Sequence, residues 1–70
     1  MKDIAIRDEY IKLEQAIKLA GESDTGADAK YAVKDGLVKV NGEVCLQRGK
    51  KLRPDDTFTV NGHDYRITGA

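Results

Sequence analysis

The sequence contains few of the residues that build disulfide-bonded domains, metal sites or membrane spans. One Cys in 70 residues excludes an intramolecular disulfide, and one His leaves a structural zinc site without enough ligands. No apolar run approaches the roughly 20 residues of a membrane-spanning helix, and Met1-Lys2-Asp3 is not followed by the apolar segment of a signal peptide. A single unpaired Cys45 suits a reducing cytoplasm. We therefore expect a cytoplasmic domain that contacts no membrane and is held together by apolar packing.

Side chains in arrangements typical of catalysis are also scarce. His63 follows the tip of a predicted hairpin, which is more typical of an exposed turn residue than of a catalytic or metal-binding one. Cys45 lies among apolar strand residues, where a thiol usually packs. Asp55-Asp56 follows Pro54 and is typical of a solvent-facing turn. The glycines are too widely spaced for a phosphate-binding loop. We expect no enzyme activity, no cofactor, no metal and no small-molecule substrate.

The formal net charge is zero, but the charge is unevenly distributed. Residues 1–36 carry six basic and eight acidic side chains, whereas residues 37–70 carry six basic and four acidic ones. Four of the basic residues fall between Arg48 and Arg53, and no acid lies between Val44 and Pro54. Because the Debye length is about 8 Å at physiological salt, a partner docked at this cluster would respond mainly to its local charge.

The hydrophobic pattern predicts a short edge strand and two helices in the first half. Ile4 and Ile6 alternate with Asp3, Ala5 and Arg7, as in a strand. A first helix is predicted over residues 11–20, with Gly21 at its end. A second runs from Gly26 to about Asp35, and Gly36 follows it. The predicted N-cap of the second helix is Thr25, with Asp28 near it. The residues predicted to be buried are Leu13, Ala16, Ile17 and Ala20 in the first helix and Ala29, Ala32 and Val33 in the second.

The second half reads as two hairpins joined by a basic loop. Asn41-Gly42 and Asn61-Gly62 are strong signals for type I′ turns. The predicted segments are strands at 37–40, 43–46, 57–60 and 63–68, a loop at 47–53 with an extended end, and a turn at 54–56. We expect one α+β domain over residues 1–70, with two short helices grouped on one side of a small antiparallel, hairpin-rich sheet.

The basic residues are the feature with a clear binding chemistry. Lys30 and Lys34 lie one turn apart on the second predicted helix, and Lys39 lies on the first strand after it. Packing of that helix on the hairpin would bring these side chains towards the loop cations, and Gly49 would let the loop backbone approach a ligand. With only Tyr31 nearby, recognition would depend on phosphates and shape more than on base stacking. A solvated loop is the alternative. The loop cations are Arg48, Lys50, Lys51 and Arg53.

Two stretches resemble a known RNA-binding domain. They are Thr25-x-x-x-Ala29-x-x-Ala32-Val33-x-x-Gly36-x-Val38-x-Val40-Asn41-Gly42 and Arg48-Gly49-Lys50-Lys51-Leu52-Arg53-Pro54-x-Asp56. Together they resemble the αL motif of the S4-type domain, above all its small stand-alone bacterial members, the YaaA/YbcJ-like proteins, over about residues 11–60. The resemblance implies two helices and a hairpin-rich sheet that bind structured RNA, commonly ribosomal RNA or tRNA, with the ribosome as a candidate partner. The RNA-binding residues that it implies are Lys30, Lys34, Lys39, Arg48, Lys50, Lys51 and Arg53.

One departure from the family pattern and two other classes of function bear on this interpretation. Members of the family often have an Arg directly after the capping hydroxyl, where this chain has Gly26. Ubiquitin-like sulfur carriers share a VNGE-type turn but need a Gly-Gly carboxy terminus, whereas this chain ends Gly69-Ala70. A protein-interaction module that docks through its sheet is the other alternative.

Overall fold

The computed structural model describes residues 1–22 and 26–69, which form two helices and seven strands. The fold is a small α+β domain, as predicted, with most strands following the helices. The predicted N-cap at Thr25 lies outside the described residues. The strands are β1 (Lys2–Ile6), β2 (Ile11–Lys12), β3 (Val38–Val40), β4 (Glu43–Val44), β5 (Lys51–Leu52), β6 (Thr57–Val60) and β7 (His63–Gly69), and the helices are α1 (Leu13–Leu19) and α2 (Gly26–Lys34).

The main sheet has the strand order β1-β7-β6-β3-β4. The hairpin pairs β3–β4 and β6–β7 are antiparallel, as the two Asn-Gly turns predict, and β3 also pairs antiparallel with β6. β1 is an edge strand, as predicted, but it runs parallel to β7, with Lys2 opposite Tyr65 and Ile6 opposite Gly69. The sheet is therefore mixed. Alternation of Ile4 and Ile6 indicates a strand but carries no information on its direction.

The first helix is shorter than predicted because Ile11 and Lys12 form a strand. Ile11 lies opposite Leu52, and Lys12 lies opposite Lys51, in a second, two-stranded sheet. Lys12 has an extended backbone, with φ −72° and ψ 145°. Pairing with a segment far along the chain satisfies these backbone groups, and helical periodicity cannot anticipate that pairing.

The core lies between the helices and one face of the main sheet. Alternate strand residues point into it, and the aromatic rings of Phe58 and Tyr65 stack there with centroids 5.0 Å apart. Of the predicted helix stripes, Ala20 and Ala32 are half-buried and the other members are buried. The buried residues are Ile4, Ile6, Leu13, Ala16, Ile17, Ala29, Val33, Val38, Val40, Leu52, Phe58, Val60, Tyr65 and Ile67.

The predicted stop and turn signals are confirmed. Both helices end on a glycine in the left-handed region, Gly21 with φ +79° and Gly36 with φ +75°. After α2, Leu37 N–H donates to the Ala32 carbonyl and Gly36 N–H donates to that of Val33, which satisfies the last helical carbonyls. Asn41 and Gly42 have φ of 50° and 87°, as a type I′ turn requires.

Candidate nucleic-acid interface

The segment between β4 and β5 is fixed to the start of α1 by its own carbonyl groups. Leu13 N–H donates to the Lys50 carbonyl at 2.8 Å, and Glu14 N–H donates to the Arg48 carbonyl at 3.0 Å. The first amides of a helix have no partner within the helix, so the loop supplies acceptors for two of them. Its carbonyls therefore face α1, while the Arg48 and Lys50 residues remain exposed.

A groove between α2 and this loop brings together cations from two separate elements. Lys30 and Lys34 line it from the helix, and Arg48 lines it from the loop. The groove has a volume of about 370 Å³. The remaining lining residues are Val33, Leu46, Gln47 and Gly49. Three of the seven sequence-predicted binding residues therefore share one concave surface.

Lys50 lines a second groove, on the other side of the same loop. This groove has a volume of about 570 Å³ and is formed with the first hairpin, including Asn41 and the carboxylate-bearing Glu43. Leu46 and Gln47 line both grooves. They form a ridge with Lys30, Lys34 and Arg48 on one side and Lys50 on the other.

Arg53 is tied to the first hairpin through Asp56. The Asp56 carboxylate accepts a 2.8 Å hydrogen bond from the Arg53 backbone N–H and a 3.3 Å bond from Asn41 Nδ2. Asn41 Oδ1 in turn accepts from Thr57 N–H at 3.0 Å. The turn predicted at residues 54–56 is thus confirmed. Asp55 is exposed as predicted, whereas Asp56 is half-buried and links this turn to the first hairpin.

Lys39 and Lys51 line neither groove. Lys39 lies between buried Val38 and Val40 on β3, so its side chain points away from the core. Lys51 places its ammonium 4.9 Å from the centroid of the Tyr10 ring, in a cation–π contact. The structure therefore brings some of the predicted binding residues together and places these two elsewhere.

Within residues 1–22 and 26–69, the seven predicted cations make no ion pair. The two ion pairs found there are His63 with Glu22 at 2.7 Å and Arg66 with Asp3 at 3.9 Å, both outside the grooves. The seven residues are all exposed. Their charges are therefore accessible to an anionic ligand without first breaking an ion pair with the described part of the chain.

Sequence reasoning missed a cluster of hydrogen bonds at Glu22. This residue follows α1, and its carboxylate accepts from Tyr65 Oη, from Asn61 Nδ2 at 3.0 Å and from the His63 ring at 2.7 Å. The hydrogen bond from Tyr65, followed by those from Asn61 and His63, lowers the pKa of Glu22 from 4.5 to about 2. His63 is exposed as predicted, but it also helps to hold the end of α1 on the second hairpin. No local pattern signals a contact between residues so far apart.

Cys45 is half-buried against the core, as predicted, with its Sγ 3.6 Å from the Gln47 carbonyl oxygen. No helix in the described ranges is long and apolar enough to cross a membrane.

The fold agrees with that of a known family. A family model for the S4 domain matches residues 4–68, and the chain belongs to that family. The YbcJ proteins of Escherichia coli (strain K12) and Shigella flexneri are each 34% identical to it over 58 residues, which are 83% of this chain and 83% of the relative.

Two known structures share the fold. The solution structure of Escherichia coli YbcJ, described as revealing an αL motif involved in RNA binding, matches with a TM-score of 0.74 and 30% identity, over 97% of this chain and 87% of that one. The 30S ribosomal protein S4e of Thermoplasma acidophilum matches with a TM-score of 0.65 and 25% identity, over 86% of this chain and 32% of that one. The expected αL arrangement of two helices and a hairpin-rich sheet is thereby confirmed.

Proposed function

We propose that this chain is a single, non-catalytic RNA-binding domain that recognises structured RNA, either ribosomal RNA or tRNA, in the cytoplasm. The observation that carries the proposal is the groove shared by Lys30, Lys34 and Arg48. Their side chains come from a helix and a loop separated in sequence, and they make no ion pair with a described residue. A ligand with closely spaced negative charges, such as a phosphate backbone, is complementary to this surface.

The remaining predicted cations have graded roles in this proposal. Lys50, on the far side of the loop, and Arg53, next to the first hairpin, extend the phosphate contacts beyond the groove. Lys39 contributes from the outer face of the sheet. Lys51 contributes least, because its ammonium is engaged by the Tyr10 ring. Contacts of this kind set register and affinity and carry little sequence information.

The relatives support an RNA ligand over the sulfur-carrier alternative. The YbcJ structure is described by its RNA-binding motif, and the other structural match is a protein of the small ribosomal subunit. The zero net charge of the chain is compatible with this function, because screening makes the local cluster the relevant quantity. Association with ribosomes is part of the proposal, since both rRNA and tRNA are found there.

The test is the salt dependence of RNA binding by a charge-deletion variant. We expect the Kd of the parent for a structured RNA to rise with salt, with a log–log slope of about 3 to 4 for four phosphate contacts. The double variant Lys34→Ala/Arg48→Ala should bind more weakly at every salt concentration and lower the slope by about 2, since two contacts are lost. Fluorescence anisotropy with a labelled rRNA or tRNA fragment measures both quantities.

The matched control removes the same number of charges elsewhere. Lys2 lies on β1, at the edge of the sheet opposite β4, and Lys18 lies on the exposed side of α1. Lys2→Ala/Lys18→Ala should leave the slope unchanged. Equal losses from the two double variants would mean that the protein attracts RNA only through diffuse charge, and binding unaffected by Lys34→Ala/Arg48→Ala would refute the assignment of the groove.

A further inference from the structure

Three exposed apolar side chains cluster on the first hairpin and its continuation. Leu37, Val44 and Leu46 are 59%, 54% and 65% exposed. We refer to these three residues as the apolar patch. Single exposed leucines are common on protein surfaces, but a cluster of them next to cations indicates a binding surface.

The register of β3 and β4 brings the members of the apolar patch onto one face. Val44 lies directly opposite Lys39, so the two side chains share the outer face of the sheet. Cys45 N–H donates to the Val38 carbonyl at 3.0 Å, which extends the antiparallel pairing by one residue, and Leu37 and Leu46 are the next residues on the two segments. The end of α2 adjoins the patch, since a Cβ placed on Gly36 would lie 3.8 Å from Val44 Cγ1 and 4.0 Å from Leu46 Cδ2.

Cations surround the apolar patch. Lys34 and Arg48 share one groove with Leu46, whereas Lys50 shares the other with Val44 and Leu46. Lys39 stands beside Val44 on the outer face. One carboxylate, that of Glu43, lines the second groove. The surface therefore has an apolar centre and a predominantly basic rim, so its ligand should have an apolar surface with negative charges on both sides.

We propose that the apolar patch receives an unpaired base extruded from the bound RNA, while the basic rim contacts the phosphates on either side of that nucleotide. The inference rests on the proposed function and narrows it to RNA with a bulged or junction nucleotide. A continuous stem presents phosphates and sugars outward and hides the faces of its bases, so it leaves the patch in water. An extruded base offers an apolar face, and the planar guanidinium of Arg48 can stack on it.

A protein with an apolar side chain between acidic ones is the other kind of ligand that this chemistry admits. RNA is favoured because the rim and the proposed phosphate groove are built from the same residues, Lys34 and Arg48. One continuous polyanion satisfies both surfaces at once.

The test compares two RNA stems that differ only by one nucleotide: one stem is fully paired, and the other carries a single bulged 2-aminopurine. We expect the parent to bind the bulged stem about tenfold more tightly, the ratio that partial burial of one leucine side chain supplies. The 2-aminopurine fluorescence should change on binding, as the bulged base leaves its stacked neighbours. Leu46→Ser should abolish the preference and the fluorescence change, so that the variant binds the two stems with equal Kd.

Leu19→Ser is the matched control, because Leu19 is similarly exposed but lies on α1, away from the apolar patch. It should retain the preference, and circular dichroism should show that both serine variants are folded. Equal binding of the two stems by the parent, with no effect of Leu46→Ser, would overturn the inference and leave the proposed function intact. Failure to bind either stem would overturn both. Loss of a co-purifying protein from Leu46→Ser, with the RNA preference unchanged, would assign the patch to a protein partner and also overturn the inference.

Discussion

The backbone N–H of Leu13 donates a 2.8 Å hydrogen bond to the carbonyl of Lys50. Together with the bond from Glu14 to Arg48, it makes the basic loop the acceptor for the first amides of α1. The loop therefore has two separate functions, since its carbonyls stabilise the start of a helix while its side chains remain available for a ligand. These two functions can be separated by mutation.

Two substitutions of Lys50 test whether the loop stabilises α1 and binds a ligand through separate groups. Lys50→Pro removes the N–H that donates to the Gln47 carbonyl at 3.1 Å and restricts the backbone of Gly49. We expect it to lower the free energy of unfolding by about 1–2 kcal/mol, the value of one hydrogen bond plus backbone strain. Lys50→Gln keeps the backbone and removes only the charge. It should leave stability unchanged in urea denaturation and weaken RNA binding. A destabilisation of equal size in both variants would contradict the argument.

Alanine substitutions of Leu52 and Leu46 test how much β5 contributes to the stability of the core. Leu52 is fully buried although it lies in a two-residue strand, whereas Leu46 is exposed. We expect Leu52→Ala to lower the free energy of unfolding by about 2–5 kcal/mol, since it leaves a cavity. Leu46→Ala should stay within about 0.5 kcal/mol of the parent. Thermal denaturation of the two variants measures the difference, and similar losses would mean that β5 does not close the core.

Alanine substitutions of Gly42 and Gly49 distinguish the effect of backbone strain from the effect of close approach by a ligand. Both have open space where a Cβ would lie, but Gly42 has φ +87° and Gly49 is outside the left-handed region. Gly42→Ala should destabilise by about 1–2 kcal/mol because an L-residue is strained there. Gly49→Ala should leave stability unchanged or raise it slightly by restricting the unfolded chain. If the loop backbone approaches RNA closely, Gly49→Ala will also weaken binding, and unchanged affinity would show that it does not.

The Glu22 cluster predicts a dependence of stability on pH. Hydrogen bonds, foremost that from Tyr65, lower the pKa of Glu22 from 4.5 in its ordinary range to about 2 in the folded protein. The unfolded chain therefore takes up the proton first as the pH falls. The stabilisation is complete above about pH 4.5 and is lost as the pH approaches 2.

Glu22→Gln removes the charge that carries this effect. We expect it to lower the free energy of unfolding by about 1–2 kcal/mol at pH 7, as for a charged hydrogen bond. The difference in the free energy of unfolding between parent and variant should become smaller as the pH falls below 4.5. Chemical denaturation between pH 7 and 2.5 measures this difference, and a constant difference would exclude the proposed titration of Glu22.

The structure confirms the predictions that depend on the chemistry of neighbouring residues. Asn-Gly pairs need positive φ at both residues, so both hairpin turns fall where the sequence places them. Gly36 ends α2 for the same reason. The helical spacing of Leu13, Ala16 and Ile17 identifies the buried side of α1.

The predictions that fail or stay incomplete concern contacts between distant segments. Ile11 fits the helical pattern, yet it pairs with Leu52, because a strand partner competes with the helix for the same backbone groups. The Glu22 carboxylate meets Tyr65 and His63 through the way the second hairpin packs against the end of α1. The direction of β1 likewise depends on its pairing with β7, a segment far along the chain.

The sequence by itself determined most of the secondary structure, the turn positions and the existence of a local basic cluster, because backbone preferences and hydrophobic period depend on neighbouring residues. Only the tertiary structure decided which cations share a surface. It joins Lys30 and Lys34 to Arg48 in one groove and leaves Lys51 on the ring of Tyr10. The physical reason is that the direction of a side chain in space follows from packing between segments that are remote in the chain, and the free energy of that packing is not encoded in any single stretch.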